Sequence, residues 1–282
     1  MLKFFIPFFF ISTLVIACKD SSDSSENSGS VEGTAKSDEP PAITYTVLNA
    51  LPHDTSSYTE GLLVHDGKLY ESSGAPAEIE KTRSILGVVD PVTGKINVKT
   101  ELDRKKYFGE GIAIINNKLY QLTWKNFEGL IKKGFIYDVK TFKKLGEFDF
   151  PSNEGWGMTT DGHSLIMSDG SSNLTFLDPV TFKTNRIVGV TDNNGPVGNI
   201  NELEYVNGNI LANVYQTAYI IRIDPNTGKV LGRADFSNLV KEIKLKNPDV
   251  DYMNGIACDS ANNKIFITGK LWPNIYEVRL NN

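Results

Sequence analysis

From Ile43 onward, apolar and polar positions alternate in short runs that stop at turn residues, the pattern of strands with one buried face. One phrase returns along the chain. Its first copy is Glu60-Gly61-Leu62-Leu63-Val64-His65-Asp66-Gly67-Lys68-Leu69-Tyr70, and its second is Glu110-Gly111-Ile112-Ala113-Ile114-Ile115-Asn116-Asn117-Lys118-Leu119-Tyr120. Weaker copies open at Trp156-Gly157-Met158, Asn201-Glu202-Leu203 and Asn254-Gly255-Ile256. Each passes through Asp-Gly, Asn-Gly or Asn-Asn into a second alternation, which predicts a hairpin. A third element follows in the first four copies: a turn opened by Asp90, Asp138, Asp178 or Asp224, in which Asp caps, Pro presets φ and Gly takes the left-handed position. The second residues of the five copies (61, 111, 157, 202, 255) recur every 45 to 53 positions. That spacing is close to one four-stranded propeller blade, a unit that buries its faces only against neighbours. The expected fold is therefore an all-β, five-bladed β-propeller over residues 43–282. Ile43–Leu48 would supply the outer strand of the last unit beside Ile275–Leu280.

The N-terminus reads differently. Met1-Leu2-Lys3 is a short basic start, and Phe4–Ile16 is apolar but short for a membrane span. The run ends in Val15-Ile16-Ala17-Cys18, which resembles the signal of a bacterial lipoprotein, so residues 1–17 are expected to be cleaved and Cys18 acylated. Residues 18–42 are rich in Ser, Gly, Asp and Glu and lack periodicity, the composition of a disordered tether. This implies a lipid-anchored protein of the bacterial cell envelope. The formal charge of -5 falls largely in that tether, and no basic stripe is present, so nucleic acid is not an expected partner. Cys258 falls in the first strand of the last repeat and is expected to be a buried free thiol. His53, His65 and His163 lie at unlike repeat positions without metal spacing and are expected in solvated turns.

In a propeller, equivalent repeat positions converge on one axis. The residues before the aligned second position are Glu60, Glu110, Trp156, Asn201 and Asn254, and those four after the aligned Tyr are Gly74, Trp124, Gly170, Tyr215 and Lys270. A purely structural repeat would carry similar residues here. These differ and are chemically capable.

Tyr58-Thr59-Glu60-Gly61-Leu62, Tyr107-Phe108-Gly109-Glu110-Gly111, Gly155-Trp156-Gly157, Asn201-Glu202-Leu203-Glu204-Tyr205 and Thr268-Gly269-Lys270-Leu271-Trp272-Pro273 resemble the motifs of the plant-type glutaminyl cyclases, which include the papaya latex enzyme. The resemblance covers essentially all of residues 43–282. It implies a metal-independent glutaminyl-peptide cyclotransferase that turns an N-terminal glutamine into pyroglutamate with loss of ammonia, acting on glutaminyl peptides or proteins as a monomer without a cofactor. By position, the resemblance places the acid/base carboxylate at Glu110, with Asn201 and Lys270 as further catalytic groups. It places the substrate-binding set at Glu60, Phe108, Trp124 and Trp156, with Tyr58 and Tyr215 beside them. The chain departs from the plant pattern at Tyr58-Thr59-Glu60, where those enzymes carry Phe-x-Gln, and at Tyr215, where they carry tryptophan. Lys270, Asn201 and an indole N–H are the expected oxyanion donors. Two other classes fit the same residues. One is a calcium-dependent lactonase or esterase using Glu60, Glu110, Asn201 and Asn254 as hard-ion ligands. The other is a non-catalytic surface binding propeller.

Overall fold

The computed structural model describes residues 39–124 and 129–281. The expected leader, Cys18 and nearly all of the expected tether lie outside them. The first strand is β1 (Ala42–Pro52).

Three antiparallel four-stranded sheets follow in chain order. The first is β2 (Tyr58–His65), β3 (Lys68–Gly74), β4 (Ile85–Val89) and β5 (Ile96–Glu101); the second is β6 (Gly109–Ile115), β7 (Lys118–Thr123), β8 (Gly134–Asp138) and β9 (Lys144–Phe148). The third is β10 (Met158–Thr160), β11 (Leu165–Met167), β12 (Asn173–Leu177) and β13 (Thr184–Gly189). After the small hairpin β14 (Thr191–Asp192) and β15 (Gly195–Pro196) come β16 (Ile200–Val206), β17 (Asn209–Val214), β18 (Tyr219–Ile223) and β19 (Val230–Asp235). The helix α1 (Ser237–Lys246) leads to β20 (Met253–Asp259), β21 (Lys264–Gly269) and β22 (Asn274–Asn281). β1 runs antiparallel to β22 from Thr44 to Pro52, as the sequence predicts, and also meets β19 in parallel at Ala42 and Ile43. That short parallel contact joins two four-stranded units into one eight-stranded sheet. The all-β expectation holds, with α1 as the helical exception among the described residues.

The hairpins form for the reason read from the sequence. Asp66-Gly67, Asn116-Asn117 and Asn207-Gly208 all have positive φ at both positions, the type I′ geometry that matches strand twist. In the outer turns, the Asp90, Asp138, Asp178 and Asp224 carboxylates accept backbone N–H bonds, which holds each below the usual carboxylate range. Two of these turns lack glycine, and Phe142 (φ 56°) and Phe182 (φ 58°) take the left-handed place instead. Such a residue costs about 1 kcal/mol of backbone strain. Packing offsets it: Phe182 stacks on Phe148 at 4.5 Å between centroids, and Phe142 on Tyr70 at 6.0 Å.

The core lies between sheets. Leu63, Tyr70 and Leu86 of the first sheet pack with Ile112, Leu119 and Phe135 of the second, and equivalent clusters join the second to the third and the third to the β16–β19 unit. The first strands also touch in sequence: β2 meets β6, β6 meets β10, β10 meets β16, β16 meets β20, and β20 meets β2 again. The repeated glycine permits that approach. A Cβ on Gly111 would lie 2.4 Å from the Met158 nitrogen, and one on Gly157 would lie 2.0 Å from the Asn201 carbonyl oxygen.

Candidate active site

Four of the five first strands carry a β-bulge, and it falls at the position singled out in the repeat. Register shifts span Thr59/Gly61, Gly109/Ile112, Ile200/Leu203 and Met253/Ile256, so Glu60, Glu110, Asn201 and Asn254 sit on the extra residues. A bulge re-aims a side chain out of the strand's alternation. Glu60, Glu110 and Asn201 are turned into a single cavity of about 700 Å3, together with Tyr58, Phe108, Trp124, Trp156, Tyr215 and Lys270. All nine site residues expected from sequence thus line one space. Asn254 lies behind it, where its Nδ2 donates to Glu60 Oε2 at 3.1 Å and to the Thr59 carbonyl at 3.0 Å.

The polar floor is built around Glu60. Lys270 Nζ donates to Glu60 Oε1 at 2.5 Å, with both side chains almost fully buried. The ammonium also lies 4.4 Å from the Tyr58 ring centroid and 5.4 Å from that of Tyr215, within cation–π range. Its backbone is pinned by Lys270 N to the Tyr252 carbonyl and by Asp251 N to the Lys270 carbonyl, each 2.9 Å. Tyr58 Oη donates to Asp251 Oδ2 at 2.8 Å, which fixes its ring above the ammonium. Burial pushes the Glu60 carboxyl up to about 7, against the pull of Lys270.

Glu110 is buried, and its carboxylate accepts no hydrogen bond from any described residue. Burial holds its proton affinity well above the usual carboxylate value, the Glu60 charge adds to this, Lys270 opposes it, and Glu154 adds a little more. Asn201 leaves Oδ1 buried without a partner among the described residues. The floor therefore offers a carboxyl without a described partner, an amide acceptor and an ammonium whose donors exceed the single bond given to Glu60.

The walls are aromatic. Phe108 packs on Trp124 at 5.4 Å and edge-on to Tyr58 at 6.3 Å, while Trp156 meets Tyr215 at 5.4 Å. Both wall indoles have their N–H groups engaged: Trp124 Nε1 and Trp156 Nε1 each donate to Glu154 Oε2 at 2.8 Å. The remaining indole, Trp272, donates to the Asp251 carbonyl at 3.0 Å. This corrects the expectation that an indole N–H serves as an oxyanion donor. Glu154 and Asp251 were not visible in the repeat because they lie in the segments leading into β10 and β20, outside the aligned columns.

Two other expectations need correction. His53 is buried rather than solvated, its Nδ1 bonded to the Trp272 carbonyl at 2.8 Å and its Nε2 to Glu71 at 3.0 Å. Cys258 is half-buried rather than buried, with its thiol pushed up to about 11, mainly by partial burial and then by Glu204. His65 is the last residue of β2, half-buried beside its turn, and His163 is exposed in the bend before β11.

Comparison with known proteins points one way. A family model described as glutamine cyclotransferase matches residues 14–280. A glutaminyl-peptide cyclotransferase of Arabidopsis thaliana is 38% identical over 236 residues, which is 83% of this chain and 70% of that protein. The crystal structure of the glutaminyl cyclase of Myxococcus xanthus is similar at a TM-score of 0.75 and 33% identity, over 86% of this chain and 99% of that one.

Proposed function

The chain belongs to the glutamine cyclotransferase family, and from that premise we propose that it is a glutaminyl-peptide cyclotransferase working by general acid/base catalysis on a five-bladed propeller. The propeller reading is supported by the cyclic order of contact among β2, β6, β10, β16 and β20. The observation that carries the catalytic reading is Glu110: a buried carboxyl with raised proton affinity and no described partner, beside the Lys270–Glu60 pair in an aromatic cavity.

The substrate brings its own nucleophile. Its α-amine closes a five-membered ring on the γ-carboxamide carbon, so holding the side chain curled against the aromatic walls supplies much of the rate. Glu110 takes the proton of the attacking amine as the C–N bond forms. The tetrahedral oxyanion is met by the Lys270 ammonium and the Nδ2–H donors of the Asn201 amide. Glu110 then returns the proton to the departing nitrogen, the original C–N bond breaks, and ammonia and pyroglutamate leave. A carboxyl whose burial raises its proton affinity above the usual value binds the amine's proton more readily than an exposed one would, and it stands where it can return that proton to the leaving nitrogen. Tyr58 and Tyr215 hold Lys270 in place, and Phe108, Trp124 and Trp156 exclude water from the methylenes. The Lys270 ammonium already occupies Glu60, which argues against Glu60 as a calcium ligand. Acylation at Cys18 would hold this domain to the bacterial envelope as a monomer on an acidic tether.

The test is ammonia release from glutaminyl-β-naphthylamide by protein starting at Ser37, with and without chelator. Release insensitive to chelator is expected. No release, or release abolished by chelator, overturns the reading.

A further inference from the structure

We infer that Glu154 is a positioning residue: its carboxylate clamps the edges of both indole walls and so sets the slot in which the glutaminyl side chain curls. The inference rests on the cyclase reading above. Trp124 follows β7 and Trp156 precedes β10, so the two rings come from different sheets, yet one oxygen, Glu154 Oε2, accepts both N–H groups at 2.8 Å. Ring contact alone does not orient an indole, because a ring held against a neighbour, tilted as Trp124 is on Phe108 or edge-on as Trp156 is to Tyr215, can turn over with its N–H on either side. Trp124 rests on Phe108, and Trp156 rests on Tyr215 with Gly170 beneath it. A Cβ on Gly170 would stand 2.6 Å from Trp156 Cζ2, so the ring has no room to retreat. The shared acceptor selects one orientation for both rings at once.

The clamp is itself held. Gly155 N donates to the Thr123 carbonyl at 3.2 Å and to the Trp124 carbonyl at 3.1 Å, and Ser152 Oγ donates to the Glu154 carbonyl at 2.7 Å. Lys132 Nζ bonds the carbonyls of Phe150 at 3.1 Å and Ser152 at 2.5 Å, which ties the loop down on its other side. Glu154 is half-buried and also lends its charge to Glu110, after burial and Glu60 as causes of that group's raised proton affinity. Geometry and charge are therefore separable.

The chain has three tryptophans, so the 15N-indole spectrum contains three Nε1–H signals, with Trp272 as an internal reference. In Glu154→Gln the Trp124 and Trp156 signals should both move while Trp272 stays. KM for a glutaminyl peptide should rise about tenfold with a smaller change in kcat, the difference between charged and neutral acceptors. The acidic limb of the pH–rate profile should move to lower pH, because removing a negative charge makes Glu110 easier to ionise. Glu154→Asp keeps the charge and shortens the reach, so KM should rise while the acidic limb stays where it is in the wild type. Unmoved indole signals in Glu154→Gln, or an unchanged KM and acidic limb, overturn the assignment. If the wild type itself releases no ammonia, the cyclase reading is what fails, and the indole spectrum alone then decides the clamp.

Discussion

His53–Glu71 and Lys270–Glu60 are both ion pairs with almost no exposed side-chain surface, yet they differ in what is left over around them. Around Glu71, every partner is present. His53 Nε2 lies 3.1 and 3.0 Å from its two oxygens, Thr59 Oγ1 donates at 2.8 Å, and Ser57 Oγ donates as well. The other ring nitrogen of His53 lies 2.8 Å from the Trp272 carbonyl, an arrangement that suits an imidazolium donating from both nitrogens. The charge of Glu71 and its hydrogen bond hold that proton against the opposing effect of burial, and the ring's proton affinity is raised on balance. Around Glu60 the cluster is unfinished: Asn201 Oδ1 has no described partner, and Glu110 accepts no bond from the described residues. An unmet buried polar group costs about 1–3 kcal/mol. A saturated cluster stiffens the fold. An unsaturated one beside a cavity is stable only in part until a substrate brings the missing donors.

The largest expected effect comes from breaking the saturated cluster. Glu71→Gln strands a buried imidazolium and should destabilise the domain by about 3 kcal/mol, read as a lower denaturant midpoint. Turnover at a temperature where the variant is folded should stay near wild type, because this cluster does not line the cavity. The pH dependence gives a second reading. The folded-state value of His53 is raised, so its share of stability is complete below about 6.5 and is lost as pH rises through the folded value. In the variant that loss should vanish. A midpoint unchanged at neutral pH would show that the pair is dispensable.

Breaking the unfinished cluster should show the opposite profile. Glu110→Gln should leave the denaturant midpoint close to wild type and lower kcat by about two orders of magnitude or more. Near wild-type turnover would remove Glu110 from the mechanism. Glu60→Gln sharpens the contrast with a smaller effect. It removes the negative charge that raises Glu110 and frees Lys270, and both changes favour the ionised form of Glu110. The acidic limb of the pH–rate profile should therefore shift to lower pH, with a higher rate at neutral pH. An unmoved limb with a sharply higher KM would mean that Glu60 anchors the substrate's ammonium instead.

How much of this was legible beforehand follows from where each residue lies. Glu60, Glu110, Asn201, Trp124 and Lys270 share columns of a repeat, so position alone assembled them. The bulges that turn Glu60, Glu110 and Asn201 inward were not readable. Glu154 stands two residues before Trp156, where Tyr58 and Phe108 stand before Glu60 and Glu110, so the change from ring to acid is in the sequence, but its role depends on two rings from different sheets. His53 escaped because its significance is Glu71, 18 positions away in a strand that looks ordinary. The β1–β22 pairing was foreseeable from a missing turn. The parallel contact with β19, which merges two units into one sheet, depends on edge geometry that hydrophobic pattern does not encode.

That pairing sets a schedule for biosynthesis. Asn274 bonds the carbonyl of Leu51 across 223 positions of chain, so β1 leaves the ribosome long before its partner exists. A segment that must wait risks pairing with the wrong neighbour. β1 is suited to waiting, since Ile43 is its single buried residue and most of the strand remains solvent-facing even in the finished domain. The chain can thus emerge in order with β1 unpaired, its final registration deferred until β22 has followed.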